Sequence, residues 1–489
     1  MGKLHVLDFT VYRWRYGLGY IGIGVIFIAL LVLAGLFIPG GISSQEMKSV
    51  VSSDIISVKN FTPEMIINLP YYLLQKTGFY FFGVSNFTIK LPTIIFAFFS
   101  ALGMVLLLKT WFKQNVTVLT ALVAMTTGPF LLAAQTGTPA ILYIFWPIWL
   151  LLAASMISRR VHPRLFWKIL LFVVIALSLY TPLSIYVLLA LVSSIILHPH
   201  LRHIVKNLSK LKVAGAVIIA LLLLIPLFYG LYLQPSTIFS LLGIPSSFPV
   251  LANLGQLGHQ YLDFAHPTNG LIMTPIYELA AILLVVLGIY RIATTKYTAR
   301  SYILLAWLIL LIPILIISPD LVNVTFVPFL LLMGYGIDFL VRSWYRLFPK
   351  NPYARVAGLI PLVIFISSLT LSGIDRFVYG YLYNPSVGAA YSQDLTLLRR
   401  EFVPTIKNHE VVTLQVANNE ENFYRAVGRY NPNWRIKSLT TKPVTSYTGI
   451  LVVSHSAKTT TKTGIPSAII TSADHDNADR FYVYKSSKK

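Results

Sequence analysis

Long apolar runs follow one another from residue 17 to residue 374, separated by polar loops of which two are long. A helix needs about 20 mostly apolar residues to cross a bilayer. On that rule the sequence predicts eleven spans: Gly17–Ile38, Leu91–Leu108, Val116–Ala134, Thr138–Ile157, Leu165–Leu183, Ser184–Leu197, Val213–Leu233, Ile276–Ile292, Ser301–Ile317, Leu321–Val341 and Val356–Ile374. The fifth and sixth almost touch, and Tyr180-Thr181-Pro182 marks either a turn between two spans or a kink in one. The first is too long for the apolar core of a signal peptide and has no Ala-x-Ala site, so it predicts a retained anchor.

The pattern changes after Asp375. Strand-length apolar runs occur at Val411–Val416, Gly449–Ser454, Ser467–Thr471 and Arg480–Tyr484, with helical stretches at Ser392–Phe402 and Asn419–Val427. Alternating helix and strand signals predict a small α/β domain. The last residues, Lys485 to Lys489, read as a frayed end. The expected fold class is an all-α polytopic membrane protein over residues 1–374, with about eleven transmembrane helices and long loops at 39–90 and 234–275. A C-terminal α/β domain over 375–489 completes it.

Composition agrees. The 489 residues are 56% hydrophobic and only 11% charged, with a mean hydropathy of +0.71, which excludes an ordinary soluble domain and a disordered chain. The absence of cysteine excludes disulfides, thiolate metal sites and cysteine nucleophiles.

The charge of +22 needs a membrane before it can be interpreted. With the N-terminus inside, the loops alternate sides, and 20 of the 39 Lys and Arg residues fall in cytoplasmic segments. The external loops before the tail hold only Lys48, Lys59, Lys76 and Lys90, and the tail holds the other 15. That asymmetry is the positive-inside signature. Merging the fifth and sixth spans would break it, so they read as separate. The basic balance is thus an orientation signal for a multi-pass plasma-membrane protein with an extracytoplasmic tail. It is not a nucleic-acid footprint.

Span centres carry almost no ionisable groups; Glu278 and Asp338 sit near span ends. Proton-coupled transport needs such groups in the membrane, so attention moves to the external loops. Glu46 stands a few residues beyond the first span, where a carboxylate can act as a general base. Ser43-x-x-Glu46 is equally a capping box, which starts a helix with no catalysis; a helix start also mounts a carboxylate well, so both readings stand. Asp54, eight residues on, is a second carboxylate on the same side of such a helix, or a solvated charge.

Farther along the same loop come Asn68-Leu-Pro-Tyr-Tyr-Leu-Leu and Phe81-Phe-Gly-Val-Ser-Asn-Phe-Thr-Ile-Lys-Leu-Pro, leading into the second span. This order resembles the GT-C glycosyltransferases of the protein-mannosyltransferase and aminoarabinose-transferase type. Their first external loop carries an Asp-Glu pair, a His-Pro-Pro-Leu-Tyr-Tyr-like stretch and a Phe-Gly-x-Ser-x-x-x-x-Arg-Leu-Pro segment. Phe82–Pro92 matches the last in spacing, with Lys90 in the arginine position. Phe264-Ala-His-Pro-Thr-Asn-Gly and the span after it resemble that family's long external loop and eighth helix. The sequence also departs from the pattern. Gln45 stands where the family has its aspartate, Asn68 replaces the histidine, and Gln135-Thr-Gly-Thr-Pro-Ala140 lacks the acid found after the third span.

The resemblance implies sugar transfer on the outer face, from a polyprenyl-phosphate donor to a protein, lipid or glycan acceptor. Glu46 would be the base, and Lys48 and Lys90 would face the donor phosphate; snorkelling at the interface explains these lysines as well. In the second long loop, His259, Asp263 and His266 fall at i, i+4 and i+7. If helical, they share a face that can bind a divalent metal ion or a phosphate, or simply face water. The external aromatics can stack on sugars or form an interfacial belt. Three functions are therefore open. The first is a lipid-linked-sugar glycosyltransferase. The second is a catalytically silent GT-C scaffold binding a lipid-glycan, suggested by Gln45 and Ala140. A transporter or flippase is the third.

Overall fold

The computed structural model describes residues 17–29, 41–57, 62–159, 161–245, 247–264, 268–269, 272–273, 275–295, 298–347, 352–382, 391, 393–399, 412–434, 436–444, 447, 449–460, 464–471 and 479–485. Each of the eleven expected segments falls on a helix, but the count of full-length crossings is lower. Among the described residues, six helices are long and apolar enough to cross a membrane: Asn86–Trp111, Pro139–Ser158, Lys210–Leu233, Ala299–Ile317, Val322–Leu347 and Ile360–Gly380. The number reaches eight if each of two bent pairs is one span. Of the other three expected spans, Leu165–Ser178 and Leu279–Thr294 are shorter apolar helices, and the described part of the first is the helix Gly17–Ala29.

The bends have local causes. Pro129 follows the break between Gln114–Thr126 and Gly128–Gln135, where the axis turns by 57°. Pro199 opens the short helix that leaves Ser184–Leu197 at 97°. Proline has no N–H to give to the preceding turn, so the helix restarts in a new direction. The fifth and sixth segments are separate helices, ending at Ser178 and starting at Ser184, with Leu183 left-handed at φ 63°.

One continuous apolar core joins the bundle from Ile23 to Leu369. Its closest helix pair is Leu279–Thr294 against Phe326–Leu347. A Cβ on Gly288 would lie 2.0 Å from the Leu332 carbonyl oxygen, and one on Gly336 would lie 2.2 Å from that of Leu284. Small residues are what let two membrane helices meet backbone to backbone.

The loops gather on two faces. On one, Asn68 N–H donates to Tyr180 O at 2.7 Å, Leu183 N–H to Leu241 O at 2.9 Å, and Ser318 Oγ to Gly243 O at 2.8 Å. On the other, Arg300 Nη2 donates to Thr110 O at 3.1 Å, and Arg159 donates to the same carbonyl.

The tail holds a five-stranded sheet. Its order is Ile436–Thr440, Val412–Gln415, Ile450–Ser454, Asp479–Lys485 and Ala468–Thr471; the first three run parallel and the last two pairings are antiparallel. The helix Glu421–Tyr430 is the crossover between the first two strands in sequence. The strand Ile436–Thr440 has no counterpart among the four expected from the sequence. The last bundle helix, Pro352–Leu382, also runs past the boundary expected at Ile374. A second apolar core lies under this sheet, and it is shared: Ile42, Met47, Val50, Phe79, Val84 and Ile89 pack with Val412, Leu414, Phe423 and Phe481.

Candidate functional site

The site is built where the first long loop meets the tail and the start of the Asn86–Trp111 helix. Ser43 caps the helix Ser44–Ile55, and its side chain accepts from Glu46 N–H at 3.2 Å. Glu46 Oε2 in turn accepts from Ser43 N–H at 2.8 Å and lies 3.1 Å from Ser43 Oγ. Its Oε1 accepts the N–H of Gly137 at 2.7 Å. Glu46 is completely buried, and Gln45 beside it is exposed. The carboxylate is therefore a capping box and also a clamp on the segment after the third span.

Gly137 can take that place because it has no side chain. A Cβ there would lie 2.6 Å from Ile89 Cγ2 and 2.9 Å from Ile89 O. Two residues before it, the amide of Gln135 is wholly buried and has no hydrogen-bond partner among the described residues.

A polar layer continues inward. Gln75 Oε1 accepts from Ser49 Oγ at 2.9 Å and from Ser53 Oγ, and Gln75 Nε2 donates to Ile89 O at 2.9 Å. Tyr71 Oη lies 2.7 Å from Thr93 Oγ1. Burial holds the Tyr71 phenol well above its usual value, the Thr93 hydrogen bond works against that, and the charge of Glu46 adds a smaller upward push. Lys90 is buried at 2% exposure, and the charges of Glu46 and Asp394 act on it. The fold thus brings two of the sequence-derived candidates, Glu46 and Lys90, into one buried polar cluster.

The other candidates lie elsewhere. Lys48 is exposed on the outer side of its helix. Asp54 sits at that helix's far end, where Arg429 Nη1 is 2.8 Å from both carboxylate oxygens. His259 Nδ1 and Asp263 Oδ2 are 3.2 Å apart at the end of the helix Val250–Leu262, with His259 exposed. His266 lies outside the described residues. Among those described, no three His, Asp or Glu side chains gather as a metal site would require.

Several site residues escape a reading of the sequence. Gln75 carries a usable signal: Tyr71, Gln75, Gly78 and Phe79 repeat at helical spacing, and all four are buried. The tail's contributions carry none. Asn431 donates to Val84 O at 2.8 Å and accepts from Val84 N–H at 3.2 Å, and Asn86 Nδ2 donates to Asp394 Oδ1 at 2.9 Å. Ile42 pairs with Gln393 through a 2.6 Å backbone bond. Gln393 donates to the buried Glu420 at 2.6 Å, and Glu420 also accepts from Ser454 Oγ at 2.7 Å.

No family model matches the sequence, and comparison with curated protein sequences gives no match either. Solved structures do match. The crystal structure of ArnT from Cupriavidus metallidurans bound to undecaprenyl phosphate aligns with 94% of this chain and 97% of its own, at a TM-score of 0.55 and 11% identity. The same protein in its apo state aligns at 0.52 and 12% identity, over 95% and 98%. The Archaeoglobus fulgidus oligosaccharyltransferase tethered to an acceptor peptide aligns at 0.51 and 11% identity, over 88% of this chain and 64% of that one. At such identities the likeness is one of fold. The chain shares the membrane fold of these structures.

Proposed function

We propose that this protein is a membrane glycosyltransferase that moves a sugar from a polyprenyl-phosphate donor to a protein, lipid or glycan acceptor on the outer face. One observation carries the reading: the fold matches ArnT over nearly the full length of both chains, and that ArnT structure holds undecaprenyl phosphate. The two loop faces described above support eleven crossings, because each face collects the loops that alternation assigns to one side, and the inside N-terminus rests on the distribution of Lys and Arg. The described part of the tail, from Tyr391 on, would then cap the outer face. In the reaction the acceptor oxygen bonds to the sugar's anomeric carbon, the bond from that carbon to the phosphate oxygen breaks, and the acceptor proton passes to a base. Lys90 would balance the charge left on the phosphate. Glu46 serves as the base only if the loop first opens, since its oxygens are held by Ser43 and Gly137. For a divalent cation, the described residues offer the His259–Asp263 pair.

The closed surroundings of Glu46 favour a second reading, a GT-C scaffold that binds a lipid-linked glycan without turning it over. One experiment separates the two. Purified protein in nanodiscs is given a panel of radiolabelled polyprenyl-phosphate sugars, with release of polyprenyl phosphate and saturable binding both measured. Release that rises with added acceptor supports transfer. Saturable binding without release, weakened in Lys90→Ala, supports the scaffold. Neither binding nor release removes both.

A further inference from the structure

A pocket lies on the opposite face from Glu46, where the helix Leu142–Ser158 ends and the helix Arg164–Ser178 begins. It is a cavity of about 340 Å³, within the range of small-molecule sites. Its wall is divided by chemistry. Met156, Ile204 and Leu208 make an apolar side, while Lys168, Trp167 and Asn207 bring a charge and hydrogen-bonding groups.

Three observations point to the ligand. First, the helix Pro199–Lys206 that supplies Ile204 lies almost square to the helix before it, at 97°. Ile204 is buried, and Arg202, His203 and Lys206 are exposed. An apolar inner side with basic outer residues is how a helix lies along a membrane surface. Second, the cations of this face far outnumber its acids, of which Asp338 is paired with Arg342 at 2.7 Å. Segments 109–113, 159–168, 202–212, 291–300 and 342–355 contain no Asp or Glu at all. Third, the indole N–H of Trp167 is buried and has no acceptor among the described residues.

We propose that this cavity binds the phosphate headgroup of an anionic membrane lipid from the cytoplasmic leaflet. Lys168 is its charged ligand, Trp167 donates a hydrogen bond, Asn207 adds the amide N–H not directed at His203 Nε2, which lies 2.8 Å from its Nδ2, and the apolar side takes the start of the acyl chains. Basic pockets at the cytoplasmic ends of helices suit such headgroups. The site is separate from the Glu46 cluster and independent of any sugar transfer. Its leaflet follows from the positive-inside assignment.

The test uses the full chain, delipidated in neutral detergent. Short-chain phosphatidylglycerol, short-chain phosphatidylcholine and inorganic phosphate are titrated in parallel, with affinity read by native mass spectrometry and thermal shift. Phosphatidylglycerol is expected to bind at least about tenfold tighter than the other two. Lys168→Gln should lose about tenfold, the order expected of one charge-assisted hydrogen bond. Lys168→Arg should retain binding, as should Lys210→Gln, which removes a nearby exposed charge. Lipid-free unfolding midpoints identify any variant that fails to fold; Trp167→Phe then serves as the second probe and should also weaken binding. Equal losses in Lys168→Gln and Lys210→Gln would reduce the effect to diffuse surface charge and overturn the site. Phosphate binding as tightly as the lipid would overturn the lipid assignment.

Discussion

The backbone N–H of Gly137 donates to Glu46 Oε1 across 2.7 Å, joining the first long loop to the segment after the third apolar span. Glu46→Gln keeps the shape but turns one end of the carboxylate into a donor. That end then faces either Gly137 N–H or Ser43 N–H. The expected cost is about 1–3 kcal/mol, the penalty of an unsatisfied buried donor. Hydrogen exchange across Ser44–Ile55 should quicken accordingly; unchanged exchange would refute the clamp.

Gly137→Ala attacks the same joint from the other side. The new Cβ meets Ile89 at both its side chain and its carbonyl oxygen. Overpacking of this kind costs about 1–3 kcal/mol. Ile89→Ala in the same chain removes the side-chain clash and leaves the carbonyl one, so it should restore part of the lost stability in thermal unfolding. Full recovery, or none, would mean that the carbonyl contact had been misjudged.

Asp54 and Arg429 fasten the loop helix to the tail helix. Arg429 is 59% exposed, so the pair is worth about 0.2–1 kcal/mol and weakens with salt. A double-mutant cycle of Asp54→Asn and Arg429→Gln, run at low and high ionic strength, measures it. A coupling that does not fall with salt would point to shape rather than charge.

Asp394 makes the same junction sensitive to pH. Burial raises its carboxyl above the usual value, although hydrogen bonds from Leu397 N–H, Asn86 and Thr396 N–H pull it back. The folded state therefore holds this proton more tightly than the unfolded chain. Its stabilising contribution is complete below the ordinary value of about 3.9 and is lost as pH rises through the raised one. The stability of the wild type relative to Asp394→Asn should fall over that window. A difference that stays flat with pH excludes the effect.

Because the chain has no cysteine, its topology can be tested directly with single cysteines. Cysteine at Lys48 or Lys442 should react with an impermeant reagent from outside intact cells. At Lys113 or Lys210 it should react only after permeabilisation. The reverse pattern at any position breaks the eleven-crossing assignment.

Span positions were readable from sequence because a lipid-facing helix must be apolar along its whole length, whatever its neighbours. The tail was only partly readable. Ile436–Thr440 escaped because an edge strand has one neighbour and needs few apolar positions; Ile436 and Leu439 alone pack on the core. At the site, Glu46 announced its capping box through Ser43-x-x-Glu. Its contact with Gly137 spans 91 residues and has no local pattern. Lys90 read equally well as a snorkelling lysine, and only the packing of the loop over it makes it a buried charge.

The shared core has a consequence for how the protein is made. Val84 and Asn431 bond to each other across 347 residues of sequence. The first loop is therefore synthesised long before the strands that complete its interior. Until the tail arrives, Ile42, Val50 and Phe79 have no finished surface to pack against. A nascent chain stalled after its last span would leave these residues open to chaperones and proteases, and closure of this face becomes a late checkpoint that only a chain carrying the tail can pass.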